Sequence, residues 1–389
     1  MELLKEVRVG IVGCGNMGSS HAKTIHGGEV PHMKLTALCD IAEGRKKAMT
    51  ELYPDVAFFD TSAELIRSGL VDLVVVAVPH YDHAPIAIDA FENGLNVITE
   101  KPAGVYTKQV LEMNEAAKKS GKLFGIMYNQ RTNPLYQRVK KLIDNGDLGA
   151  LKRVQWTITD WYRPQAYHDS CTWRSTWKTE GGGALINQNP HQLDLWQWMF
   201  GMPSKIMSHV SFGKYYDIEV EDDVTAFMQY DNGLTGVYIT STGEAPGTNR
   251  LEIACDMGRI VIENNKLIFN RNVVSEREFN KTFDGIFGEP ECWNCEIPIK
   301  GAPGEQHKGI FKNVAKVLTQ GGELLAPGYE GVKGLTISNA IHYSAWTGGW
   351  ADCSNFPHDE FYNLLQDKIK NSKVVKKVVQ KTTNTEGTY

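Results

Sequence analysis

The stretch "VRVGIVGCGNMGSSHA", residues 7–22, constrains the fold of this chain more than any other. An apolar run of strand length, Val7–Gly13, ends in glycine, and a helix should follow from about Met17 to His26. Between them Gly13, Gly15 and Gly18 stand in the GxGxxG spacing, with Cys14, Asn16 and Met17 in the gaps. After a strand and before a helix, this spacing is the dinucleotide fingerprint. Gly13 permits the tight turn, Gly15 lets a pyrophosphate approach the backbone, and Gly18 lets helix and strand close together. Asn16 and Met17 complete the cradle at the helix start, where backbone N–H groups attract an anion.

The same grammar continues. Strands are expected at "KLTALCD", "VAFFD", "VDLVVVAVP", "LNVITEKP" and "LFGIMYN", with helices at "GRKKAMTELY", "HAPIAIDAFENG" and "YTKQVLEMNEAAKKSG". The unbroken valine run suits a strand buried on both faces. Alternation at this spacing means a doubly wound parallel sheet, a Rossmann domain over 1–128. Asp40 ends the second strand, about 20 residues past the loop, where a carboxylate accepts from ribose hydroxyls and repels a 2′-phosphate. Ile41 and Ala42 supply no compensating cation, and Arg45 is the nearest. NAD is therefore the expected cofactor.

After Asn129 the pattern changes. A helix near Leu135–Asn145 is followed by long, closely spaced strands, among them "KRVQWTITDW", "DDVTAFMQY" and "LTGVYITST". Residues 129–389 are expected to form an α+β domain with a mainly antiparallel sheet. The Lys- and Thr-rich end from about Lys368 reads as a frayed tail.

Composition removes several classes of function. The net charge of −5 gives no case for nucleic acid or an acidic membrane surface, and no apolar run approaches membrane-spanning length. The N-terminus lacks the features of a secretory signal, so a cytoplasmic location is expected. Seven cysteines without framework spacing read as free thiols. Cys292 and Cys295 form a CxxC, but no second ligand pair stands nearby, and no metal is expected.

"GGGALINQNPHQLDLWQWMFG", Gly181–Gly201, reads as one buried helix. Asn187, His191 and Asp194 are spaced four and three apart and would share a face. A buried polar group must be paired or face a ligand. Just before it, Trp156–Trp177 holds four tryptophans and two tyrosines, together with Arg163. Aromatic faces with polar tips suit sugar rings or aryl groups, and Tyr162 and Arg163 are the candidate contacts there.

With these motifs in place, the chain resembles the glucose–fructose oxidoreductase / inositol dehydrogenase (Gfo/Idh/MocA) family. The matching stretches are the glycine loop, "VDLVVVAVPHYDHAPIAIDAFENGLNVITEKP", Trp173-Arg174, the Gly181–Gly201 segment and "SNAIHYSAW". The resemblance implies NAD-dependent oxidation of a sugar, cyclitol or aryl glycoside hydroxyl, with C3 a candidate carbon. Lys101 of Glu100-Lys101-Pro102 falls on the catalytic lysine, which polarises the reacting oxygen, and His191 on the catalytic base. Pro79, His83 and Glu100 fall along the cofactor, Trp173 and Arg174 at its nicotinamide end, and Asp194 near the substrate. Asn187 departs from the inositol dehydrogenase pattern, which carries Asp there. Asn cannot take a proton, but it can orient His191 or hold a hydroxyl. The family also implies that the mainly antiparallel sheet of the second domain is large and open, and it implies a homodimer or tetramer. Two alternatives share these residues: a redox-neutral NAD-dependent glycosidase and a non-catalytic NAD- and sugar-binding regulator.

Overall fold

The structure, a computed structural model, describes residues 3–372 and 374. Six parallel strands form the first sheet: β1 (Val7–Val12), β2 (Met33–Cys39), β3 (Ala57–Phe59), β4 (Leu73–Val76), β5 (Asn96–Thr99) and β6 (Phe124–Ile126). Their order is β3-β2-β1-β4-β5-β6. The sequence explains the layering, because helices cover both faces and β4 and β5 are buried along their whole lengths. Strand order reverses between β1 and β4, so the crevice beyond their carboxyl ends is the expected ligand position. Gly13 and Ala77 lie there, and the turn at Lys101 follows β5 on the same edge.

The second sheet holds β7 (Leu151–Ile158), β8 (Lys205–Phe212), β9 (Glu221–Gln229), β10 (Thr235–Ser241), β11 (Asn249–Cys255), β12 (Gly258–Glu263), β13 (Lys266–Asn272), β14 (Cys292–Ile297) and β15 (Ala351–Asp352). The order is β14-β13-β12-β11-β7-β10-β9-β8-β15, antiparallel except for the β7–β10 pair. On β7 the buried residues are Val154, Trp156 and Ile158, alternating with more exposed neighbours, as a sheet with one covered face requires. The cover consists mainly of helices Pro190–Phe200 and Gly331–Thr347. Trp196 packs edge-on to Tyr238 and donates to the Tyr230 hydroxyl at 2.7 Å.

Several expectations need correction. Gly181–Gly201 is two helices. Ala184–Asn187 ends before Asn189, and a second helix starts at Pro190, which occupies the first turn. Proline there lacks the N–H that a continuous helix would need. Asn187 and His191 therefore do not share a helix face. The second core is not all that follows residue 129: helix Gln306–Gln320 returns to the first sheet and buries Ile310, Phe311, Val314 and Leu318 in its core. Of the Lys-rich end, Lys368–Lys370 close a helix, His358–Lys370, and the residues after Ser372 other than Val374 lie outside the described set. Cys292 and Cys295 sit on edge strand β14, three residues apart and so on opposite faces.

Asp194, expected near the substrate, is engaged by the chain itself. Its Oδ2 accepts from Arg131 Nε at 2.8 Å and its Oδ1 from Arg131 Nη2 at 2.6 Å, while Gln197 adds a third bond to Oδ1. Arg131 further pairs with Glu330 and donates to the Leu325 carbonyl. Both partners of the first pair are 1% exposed, so Asp194 is occupied in tying the domain junction together. Removing one partner of such a pair leaves a buried, partly uncompensated charge, which costs about 3–5 kcal/mol. Asp194→Ala should therefore lower unfolding stability by roughly that amount, reduced by whatever Glu330 retains. Urea unfolding measures it. A near-neutral change together with a raised KM would restore Asp194 to substrate binding.

Candidate active site

The glycine loop is built for a close ligand. Gly13 has φ +93, and a side chain there would meet the Ala77 carbonyl at 2.3 Å. A Cβ on Gly18 would stand 1.8 Å from the Gly13 carbonyl, so the helix lies directly on the strand. The position of a Gly15 Cβ has no atom within 4 Å, so the loop opens onto free space there. Helix Asn16–His26 starts at that point with Gly15 as its N-cap and no side-chain cap. Asp40 follows β2; its Oδ2 accepts from Cys14 N at 2.7 Å and its Oδ1 from Ala42 N at 2.9 Å. The carboxylate thus faces the loop. These features fit a dinucleotide: the loop and helix start would take the pyrophosphate, and Asp40 the adenosine ribose.

At the other end of the crevice stands Glu100-Lys101-Pro102. Glu100 is 6% exposed and binds His21 Nε2 at 2.6 Å. Burial acts to raise this carboxyl, but the bond and charge of His21 outweigh it and hold it at about 2. Glu100 therefore acts as a buried anchor of the lysine turn. His83 has no exposed surface; its Nδ1 lies 2.7 Å from the Pro102 carbonyl and its Nε2 2.8 Å from that of Val78. It staples the end of β4 to the lysine turn, while Pro79, at the rim, stays exposed.

Lys101 Nζ donates to the Asn187 carbonyl at 2.9 Å, linking the Rossmann edge to helix Ala184–Asn187. Burial lowers the Lys101 pKa; Glu100 and Glu180 oppose this, and Arg174 and Arg163 add to it. His191 is 4% exposed, and neither ring nitrogen has a hydrogen-bond partner. Its pKa lies well below the usual value, first through burial and then through the charge of Lys101, with Glu100 opposing. His191 is thus a neutral imidazole in a basic surrounding.

The structure brings Lys101, Asn187, Trp173, Arg174 and Arg163 together and adds residues that the sequence did not single out. Tyr167 is the centre of this group. Its hydroxyl accepts from Arg174 Nη1 at 2.5 Å, Gln188 Nε2 at 3.1 Å and Asn187 Nδ2 at 3.4 Å. Arg174 stacks between Tyr167 and Trp173, and Trp173 lies edge-on to His80. Buried Glu180 accepts from Asn187 Nδ2 and from Ser175 N. Burial raises the Glu180 carboxyl against the pull of Arg174. The Asn187 side chain therefore serves Glu180 and Tyr167. Tyr162 is half exposed, and Arg163 stacks on Trp161 and Tyr167. "KTEGGG" placed Glu180 directly before the glycines, but a single carboxylate carries no signal of burial. Among the described residues no cluster of ligating side chains fits a metal ion, and no helix is long and apolar enough to cross a membrane.

An open phosphate loop at a parallel-sheet switch point, leading to a half-buried lysine and an unpaired imidazole, defines a nicotinamide-dinucleotide oxidoreductase as the class. The chain belongs to the Gfo/Idh/MocA oxidoreductase family: residues 7–128 match its NAD-binding Rossmann domain and residues 136–261 its C-terminal domain. Levoglucosan dehydrogenase of Pseudarthrobacter phenanthrenivorans is 24% identical over 390 residues, covering 90% of this chain and 98% of that protein. The NAD-dependent scyllo-inositol 2-dehydrogenase of Bacillus subtilis is 23% identical over 238 residues, 59% of this chain and 66% of that protein. Among solved structures, the WlbA dehydrogenase of Bordetella pertussis, in complex with NADH and UDP-GlcNAcA, superposes with a TM-score of 0.75 at 24% identity. That match covers 90% of this chain and 99% of the other and shows the shared fold. NAD is the cofactor of the matched domain.

Asp40 should exclude NADP by repelling its 2′-phosphate, because the nearest cation in sequence, Arg45, is on an exposed helix face. Titration should give a lower Kd for NAD than for NADP, and Asp40→Ser should narrow the gap. Equal or tighter binding of NADP by the wild type would contradict this.

Proposed function

We propose that this protein oxidises a secondary hydroxyl of a sugar, cyclitol or glycoside to a ketone. The observation that carries the reading is His191: buried, neutral, with both nitrogens unpaired, in the field of Lys101. An imidazole kept neutral at working pH is a competent proton acceptor. Both nitrogens of a buried ring without a partner imply a group from outside the chain.

NAD, when bound, supplies the acceptor for the hydride that leaves the carbinol carbon. The chain handles the proton and the oxygen. Lys101 Nζ has three N–H donors and gives one to the Asn187 carbonyl. The other two are free to meet the reacting oxygen and stabilise its developing negative charge. His191 takes the hydroxyl proton at a ring nitrogen. Because the lysine charge also discourages protonation of His191, the two bases keep distinct roles: Lys101 holds the cation and His191 the vacancy.

The Asn187 carbonyl sets the position of Lys101, which explains how Asn is tolerated where a proton-carrying Asp stands in inositol dehydrogenase-like relatives. A backbone acceptor is independent of the side chain. The dehydrogenase reading also places Trp173 and Arg174 over the reaction end and Tyr162 at the mouth.

Lys101→Ala and His191→Ala should each reduce turnover by about 10²–10⁴-fold, the usual contribution of acid–base groups. The Kd for NAD should stay within a few-fold of wild type. Steady-state kinetics on the best substrate of a sugar and glycoside panel, with NAD titration alongside, provides both numbers. A variant that keeps the wild-type rate loses its assigned role.

A further inference from the structure

The reaction end of the crevice carries more positive charge than the chain itself balances. Lys101, Arg163 and Arg174 are connected through a short series of contacts. Lys101 Nζ binds the Asn187 carbonyl, the Asn187 amide reaches the Tyr167 hydroxyl, and both Arg163 and Arg174 meet the Tyr167 ring, their guanidinium carbons 5.2 Å and 4.4 Å from its centre. The neighbouring carboxylates, each with other partners, balance only part of this charge, Glu100 and Glu180 at Lys101 and Glu180 at Arg174. Glu100 binds His21, Asp169 accepts from Gln165, and Glu221 accepts from Leu185 N and pairs with His342. Glu180 accepts from Asn187 and Ser175 N and stands 4.0 Å from Arg174. Among the described residues no carboxylate pairs with Arg163.

Arg163 is also incompletely bonded. Nη1 donates to the Tyr162 carbonyl at 3.0 Å, while the buried Nε has no partner. The guanidinium carbon lies 5.3 Å from the centre of the Trp161 ring and 5.2 Å from that of Tyr167, so the aromatic surface holds its position. A rigid, partly desolvated guanidinium without a counter-ion is costly, and its geometry matches an oxyanion bidentately. The dinucleotide pyrophosphate is an inadequate answer, because its cradle is the glycine loop at the start of helix Asn16–His26, whereas Arg163 is joined to the lysine end.

We propose that the substrate is an acidic sugar whose carboxylate is received by Arg163, within the positive field it shares with Arg174 and Lys101, while a secondary hydroxyl reaches Lys101 and His191. This rests on the dehydrogenase reading above for the role of the hydroxyl, and it adds the class of substrate. The exposed Tyr162 beside Arg163 offers the sugar ring an apolar edge on its way in.

The test is calorimetric titration of NADH-loaded protein with paired ligands: hexuronates and hexonates, their neutral hexose and polyol counterparts, and hexose 6-phosphates. It is run on the wild type, Arg163→Gln and Arg163→Lys. At least one acid should bind about tenfold or more tightly than its neutral partner, the gain of a charge-assisted bond. Arg163→Gln should abolish that preference and Arg163→Lys should keep part of it, with NADH affinity unchanged in both. The proposal is overturned if neutral partners bind as well as the acids, if sugar phosphates bind and carboxylates do not, if the preference survives Arg163→Gln, or if Arg163→Gln weakens NADH instead. Turnover with NAD separates the two readings. Preferred binding of an acid that is never oxidised sinks the dehydrogenase reading, and with it the acid's role as substrate, while the carboxylate site at Arg163 stands. Efficient oxidation of a neutral sugar with no preference for acids does the reverse.

Discussion

Lys101 and His191 are two bases that act on each other electrostatically, and the reaction proposed above depends on their not both being charged. Lys101 and His191 sit within each other's field, and burial disfavours the cationic form of each. Lysine starts about four pKa units above histidine, so the proton belongs to Lys101. The loss falls on His191, whose ring is left neutral and without a partner. In the proposed reaction an acid and a base thus come from two basic residues in a shared environment, with their ordinary pKa values deciding which takes which role.

The rest of the structure holds that arrangement in place. Lys101 is fixed from below by Glu100, anchored on His21, and from the side by His83, stapled to Val78 and Pro102. From above, the carbonyl of Asn187 meets its ammonium. His191 is carried on a helix whose next turn is locked by the Arg131–Asp194 pair, and Arg131 reaches on to Glu330. The two domains therefore meet through the Lys101–Asn187 bond and the buried Arg131–Asp194 pair. Helix Gln306–Gln320 reinforces the junction by returning to the first core and bringing His307 towards Glu100, Lys101 and His191. Burial lowers His307 to about 4, so this third imidazole is neutral as well.

The parallel half of the fold was legible because its strands are buried on both faces, which forces continuous apolar runs and leaves glycine at the phosphate turn. Helix Ser62–Arg67 was passed over, since six residues are too few for a period, although Thr61 and Glu64 form a capping box at its start. Helix Gln306–Gln320 has a readable apolar stripe, but nothing local says which core it enters. The site was legible where a motif fixes a backbone turn, as at Gly13–Gly18 and Glu100–Pro102. It was misread where spacing stood in for geometry. Asn187, His191 and Asp194 looked like one face, but Pro190 starts a new helix, and the distant Arg131 claims Asp194. Glu180 and Tyr167 could not be found at all, because their importance comes from contacts made across loops.

The most direct test of the paired-base account is titration of the His191 ring by NMR, in the wild type and in Lys101→Met, with the resonance assigned by His191→Asn. The account predicts a midpoint below about 6.5 in the wild type, so that the ring is neutral throughout the working range. In Lys101→Met, with the neighbouring charge gone, the midpoint should move up towards that ordinary value. A wild-type midpoint at or above about 6.5, or one that does not move when Lys101 loses its charge, would contradict it.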